Sequence, residues 1–374
     1  MNFDFTDDQE IIRESTRTFV RRKSSLERVR EMHTDAVGYS KDLWRIIADN
    51  GWLGVIYPEK YGGLGRYYAD LICIAEEFGK ALMPEPLNTV ISLAGNVVLF
   101  AGNEEQKQEI LPQVVEGSLL MTLGAYETAG RFNPAHVATT ATANENGYIL
   151  NGEKNFVPNA QNSSLILVTA RTAGGTTDED GISVFAVKPG DGVTIQTIST
   201  WDRQPRAHVT LTNAKATLIG EAGKAFAHVG RAIDCATVAL CAEMVGGIDE
   251  ALRMTIDYAH ERVQFDRPIG SFQAVKHKCA DMYITTELAR SAMYYAALAI
   301  DNDLDDRRTA ISTAKTLCSQ GYLAVAKEAI QLHGGIGYTD EHTIHFFYKR
   351  ALTASVTFGD ATWHRERYAV EMGL

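Results

Sequence analysis

The stretch HVATTATANENGYILNGEK, residues 136–154, decides the fold class. His136–Ala143 and Tyr148–Leu150 flank Asn146-Gly147, a dipeptide suited to a tight hairpin, and Asn151-Gly152 supplies a second turn signal at once. Four more short runs rich in β-branched residues follow: Leu165–Ala170, Ile182–Val187, Val193–Ile198 and Val209–Leu211, parted by Gly, Pro and Asp. On either side the texture is helical. Thr6-Asp7-Asp8-Gln9 forms a capping box, after which Ile11, Ile12, Phe19 and Val20 recur at helical spacing. Ser40 opens a second helix, Pro58–Gly65 reads as a loop, and helices resume at Tyr68–Leu82 and Glu104–Val115. Beyond Gly223 the helical segments are Lys224–Arg262, either whole or broken near Gly246-Gly247, then Ser271–Asp301, Arg307–Leu332 and a shorter pair after His342. Helices, then strands, then helices imply an α+β protein, mostly α: a helical domain over residues 1–117, a small β domain or barrel over 118–222, and a helical bundle over 223–374.

Composition narrows the function. A chain of 374 residues exceeds a single core, and a formal net charge of -11 repels nucleic-acid phosphates and anionic membranes, so neither is an expected partner. The start, Met1–Phe5, has no basic and apolar signal pattern, and no run reaches the roughly 20 apolar residues of a membrane span. Five cysteines lie scattered without a CxxC pair, as expected for buried thiols in a reducing cytoplasm. His333, His342 and His345 cluster in sequence, but capping or surface roles explain them and no metal is expected.

Four segments, Pro58–Gly65, Leu150–Lys154, Tyr258–Gln273 (YAHERVQFDRPIGSFQ) and Gln331–Thr339 (QLHGGIGYT), resemble the acyl-CoA dehydrogenase family in order and spacing. That resemblance implies a C-terminal four-helix bundle through which subunits associate, FAD at the subunit interface, and oxidation of an acyl-CoA to its α,β-enoyl form. A carboxylate takes the α-proton while the β-hydrogen leaves as hydride to the flavin. It also implies electron-transfer flavoprotein as acceptor, and either a homo-oligomer or a pairing with a sister subunit.

The resemblance assigns roles residue by residue. Arg262 matches the arginine that reaches across to the FAD pyrophosphate, a task suited to a guanidinium fork, although periodicity alone reads it as a solvated helix-end arginine. Phe265 matches an aromatic beside the flavin, or is a core Phe; Gln273 matches a polar contact to the FAD. Asp266 stands where the family has glycine. Gln331, Gly334 and Gly335 match the adenine-side clamp, while the glycines equally suit a helix C-cap. Phe156 is the aromatic wall of the ring side, in Asn155–Asn159, where the family has Trp-Ile-Thr. Tyr126–Arg131 is the remnant of a Thr-Glu-Pro…Gly-Ser-Asp segment. The usual position of the catalytic Glu falls on Phe358 or Gly359, and a minority position near Ala236, neither acidic. Asp360 is the base candidate, set against an N-cap role; Glu243 is second, set against a buried, paired Glu. Three functions fit: an active acyl-CoA dehydrogenase, a non-catalytic subunit of a heteromeric one resembling those that act on steroid side chains, or a flavin oxidase or monooxygenase on the same fold.

Overall fold

The computed structural model describes residues 5–145 and 147–374; the expected turn residue Asn146 and the first four residues of the chain lie outside them. The helices of the first third are α1 (Asp7–Lys23), α2 (Leu26–Met32), α3 (Lys41–Asp49), α4 (Tyr68–Lys80), α5 (Asn96–Ala101) and α6 (Glu104–Val115). Thr6 accepts from the Gln9 N–H and the Gln9 side chain answers the Thr6 N–H, so the expected capping box starts α1. Ser40 caps α3. A π-helical segment, Asn88–Gly95, precedes α5 and gave no signal in the sequence.

Seven strands make the central sheet: β1 (Met121–Gly124), β2 (Thr140–Asn144), β3 (Gly147–Pro158), β4 (Leu165–Arg171), β5 (Ile182–Val187), β6 (Val193–Ile198) and β7 (Arg206–Ile219). The path β4-β2-β3-β7-β5 closes on itself because β5 also pairs with β4, while β1 and β6 extend it from β4 and β7. Leu150, Ile166, Val168, Phe185, Val209 and Leu211 fill its core. Two expectations need correction. The strand expected at His136–Ala143 begins only at Thr140, because the N–H groups of Ala138 and Thr139 donate to the Glu127 carboxylate instead of a ladder. Asn151-Gly152 is no turn but an irregularity inside β3: the pairing with β7 shifts between Leu150 and Gly152, where a Cβ on Gly152 (φ +149°) would stand 2.6 Å from the Thr139 Cα.

The remaining elements are α7 (Phe226–Glu261), the two-residue strands β8 (Val263–Gln264) and β9 (Arg267–Pro268), α8 (Gln273–Asp301), α9 (Arg307–His333), α10 (Ile344–Val356) and α11 (Ala361–Glu371). The chain divides into two compact units. One joins Asp35–Arg66 to Glu85–Ala236; the other joins the N-terminal segment through Thr34 to Tyr67–Pro84 and Thr237–Leu374. No helix among the described residues is long and apolar enough to cross a membrane.

Within the second unit, Gly246 and Gly247 do not break α7. They let neighbours approach: a Cβ on Gly246 would stand 1.9 Å from the Glu76 carbonyl oxygen of α4, and one on Gly247 2.2 Å from the Tyr322 hydroxyl of α9. Glu76, fully buried on α4, is held there by Arg290 and by the Tyr294 hydroxyl (2.7 Å), both from α8. Gly246→Ala is expected to destabilise the protein by about 3 kcal/mol or more, since backbone and not a flexible side chain must yield. Chemical denaturation of the variant measures this, and an unchanged midpoint would show that α4 and α7 are not so closely apposed.

Candidate functional site

Arg262 follows the last residue of α7. Its N–H still bonds the Tyr258 carbonyl (2.9 Å) and its own carbonyl accepts from Ile269 (2.8 Å), so the backbone is fixed at both sides. The guanidinium is exposed and forms no ion pair among the described residues. From there β8 and β9 make a miniature hairpin whose two turn residues, Phe265 (φ +54°) and Asp266 (φ +60°), are both left-handed. That is the geometry of a type I′ turn, which Asp enters more readily than most residues other than Gly, so Asp266 keeps the turn at the expected glycine position. Phe265 is not favoured there. It stays 86% exposed, edge-on to Phe272 at 6.1 Å, next to the start of α8, where Gln273 is also exposed. A core role for Phe265 is thereby excluded.

At the end of α9, Gly334 adopts φ +64° and ψ -140° and donates its N–H to the Gln331 carbonyl, so the C-cap role is real. A Cβ on Gly334 or Gly335 would meet nothing within 4 Å: both glycines border open space, beside exposed Gln331, Ile336 and Tyr338. His333 connects this end to the hairpin, stacking on Tyr258 of α7 at 4.5 Å and 20°. Its Nδ1 bonds the Ala329 carbonyl (2.7 Å), its Nε2 is buried without a hydrogen-bond partner, and burial lowers its pKa. Arg262, Phe265, Gln273, Gln331, Gly334 and Gly335 therefore share one end of the helical unit. Among the described residues no group of three or more His, Cys, Asp or Glu side chains could hold a metal ion.

Asp360 lies elsewhere. It is the N-cap of α11, its Oδ1 accepting from the Trp363 N–H at 2.8 Å. The residues before it turn sharply, with Phe358 at φ +59° and Gly359 at φ +106°. The loop is anchored on α9 at Lys315, roughly 24 Å along that helix from Gln331. Glu243 is half-buried on α7; Ala236 is buried, its carbonyl accepting from the Asn88 side chain at 3.1 Å.

In the unit containing the sheet, Phe156 is 46% exposed at φ +55°, where the pairing of β3 with β7 again slips. Behind it lies a buried ion pair with no signal in the sequence: Lys154 Nζ to Glu127 Oε1, 2.6 Å. Glu127 also accepts from the Ala138 and Thr139 N–H groups and the Thr139 hydroxyl. Burial alone would raise the Glu127 carboxyl, but Lys154 and these donors outweigh it and hold the pKa below the ordinary value. Burial pushes Lys154 down to about 8. Asn155 bonds the Tyr126 carbonyl (2.8 Å) and the Thr128 hydroxyl (3.4 Å), so segments 126–128 and 154–156 form one wall.

Family models match the whole of this architecture: acyl-CoA dehydrogenase N-terminal domain over residues 6–118, middle domain over 122–214 and C-terminal domain over 226–372. The chain belongs to the acyl-CoA dehydrogenase family. It is 29% identical to the probable acyl-CoA dehydrogenase YngJ of Bacillus subtilis across all of both chains. The solved steroid ACAD Tcur3481-Tcur3483 superposes with a TM-score of 0.88 at 30% identity, covering 98% of each chain. The ChsE4-ChsE5 complex from Mycobacterium tuberculosis superposes with a TM-score of 0.90 at 26% identity, covering 100% of this chain and 99% of that one.

For an acyl-CoA dehydrogenase fold the Glu127–Lys154 pair is a structural commitment, because removing one partner strands the other charge in the interior. Glu127→Gln should cost about 3–5 kcal/mol near neutral pH. The carboxyl's folded pKa lies below its unfolded value, so its contribution is full above the unfolded value and lost as the pH falls through the folded one. The variant's acid unfolding profile should therefore be shallower than the parent's. Equal profiles would show that the pair contributes nothing.

Proposed function

We propose that this protein is an FAD-dependent acyl-CoA dehydrogenase that converts an acyl-CoA thioester to its α,β-enoyl form in the cytoplasm and passes electrons to electron-transfer flavoprotein. The observation that carries the cofactor assignment is the open end of the helical unit. An unpaired exposed guanidinium, an exposed aromatic held in a disfavoured backbone conformation, and two glycines facing free space suit a dinucleotide's phosphates and flat rings. Arg262 would hold the diphosphate, Gln331, Gly334 and Gly335 the adenine side, and Phe265, Gln273 and Phe156 the flavin side. The long separation of Asp360 from Gln331 along α9 favours an assembly in which the hairpin serves the cofactor of a neighbouring protomer. Exposed Tyr283, Ile284 and Leu288 give α8 an apolar face for that contact.

A bound flavin supplies the two-electron acceptor for the β-hydrogen. The protein's part is the α-proton, which is only weakly acidic and needs a positioned carboxylate. Asp360 spends Oδ1 on the Trp363 N–H, and its other oxygen is the one we assign to that proton. The likeness to the steroid ACAD points toward a ring-bearing or otherwise bulky acyl group.

The N-cap bond of Asp360, with Phe358 or Gly359 at the position where the resemblance puts the catalytic Glu, favours a second reading. In it the chain is a non-catalytic subunit that lends Arg262 and Gln331 to a sister chain's flavin. The experiment is purification of the chain alone and after co-expression with its genomic neighbours, followed by acyl-CoA addition. A yellow protein that bleaches supports the first reading, and Asp360→Asn should then retain flavin while bleaching falls about 10³-fold or more. Undiminished bleaching in that variant removes Asp360 as the base. A colourless chain that turns yellow only with a sister subunit supports the second reading.

A further inference from the structure

Lys315 lies in the first half of α9 with no exposed surface, yet its ammonium forms no ion pair among the described residues. Its Nζ instead lies 3.1 Å from the Ala354 carbonyl, 3.0 Å from the Ser355 carbonyl, 3.0 Å from the Gly359 carbonyl and 3.0 Å from the Ser319 hydroxyl. Ala354 and Ser355 belong to the last turn of α10, whose carbonyls carry the negative end of the helix dipole; the Ala354 carbonyl also accepts from the Thr357 N–H at 3.3 Å. Gly359 is the second residue of the sharp turn, next to Asp360. One cation therefore ties the end of α10 to the entry of α11.

The path between these anchors is costly. Phe358 and Gly359 are both left-handed, and a Cβ on Gly359 would stand 2.6 Å from Trp363 and 3.0 Å from the His364 ring. His364 adds a second tether, its Nε2 donating to the Phe358 carbonyl at 3.0 Å; burial lowers its pKa to about 3, so the ring is neutral. Asp360 adds a third through Trp363. Burying a lysine without a carboxylate is itself unfavourable, and burial lowers this one's pKa to about 8. An apolar residue would fill the site at lower cost but leave the Ser355 and Gly359 carbonyls without the donor they have here.

We propose that Lys315 is a positioning residue, whose role is to hold the loop from Thr357 to Asp360, and hence the Asp360 carboxylate, in this one backbone path. Its catalytic consequence rests on Asp360 acting as the base; its structural consequence does not. The test compares Lys315→Met and the milder Lys315→Gln in the flavin-loaded assembly, by amide hydrogen exchange and by acyl-CoA bleaching. Exchange should rise about tenfold or more at residues 357–362 while the core of α9 keeps its protection. Alongside it, kcat should fall about 100-fold for Met, with KM changed less than about threefold. Exchange unchanged in the loop, or protection lost throughout the bundle in both variants, overturns the proposal, since the lysine then holds either nothing or the whole unit. If Asp360→Asn bleaches normally, the base assignment has failed separately, and the exchange pattern alone decides the role of Lys315.

Discussion

Two consecutive left-handed residues, Phe265 and Asp266, fold the chain back at the end of α7, and the proposed cofactor surface depends on that turn. Without it Arg262 would be one more charged residue at a helix end. With it, the Arg262 carbonyl is tied to Ile269, Phe265 is thrown outward, and the start of α8 is brought alongside. Left-handed Phe costs about 1–2 kcal/mol relative to its preferred conformations, and nothing in the packing returns that cost, because the ring is mostly in solvent. A conformation held at a loss supports the cofactor role proposed for this turn, since strained residues cluster at binding sites.

The same logic runs through the buried charges. Glu127 with Lys154, Glu76 with Arg290, and Lys315 with its carbonyls are each fully provided with partners, and each fixes a backbone segment that would otherwise have alternatives. Arg171 does likewise, donating to five or more carbonyls, among them Ala135, Val137, Thr176, Asp178 and Asp180, and so pinning the loops around β4. Such groups contribute little net stability compared with apolar packing. Their contribution is specificity of path: they decide where the walls bearing Phe156 and Asp360 stand.

Much of this was legible in the sequence. The alternation of helix and strand texture, the capping box at Thr6, and α6 from Glu104 to Val115 follow from local chemistry, and the structure has them. Local chemistry misled where a distant partner intervened. Ala138 and Thr139 look like strand residues, but a carboxylate eleven and twelve positions earlier takes their N–H groups. Gly246-Gly247 looks like a helix break, but the glycines answer to α4 and α9 across the unit. The ion pair of Lys154 with Glu127 and the tethering of Gly359 by Lys315 join residues 27 and 44 positions apart, beyond any periodicity. Asp360 shows the opposite case: its N-cap role was readable from Gly-Asp before a helix, and the structure places it there.

The most direct measurement is the affinity of the assembled protein for FAD, by flavin titration, in the parent and in Arg262→Gln. A charge-assisted fork to a diphosphate predicts a Kd weakened by about 10- to 100-fold, with the melting temperature of the flavin-free protein unchanged. An unaltered Kd would contradict the account, since the hairpin would then present its guanidinium to nothing.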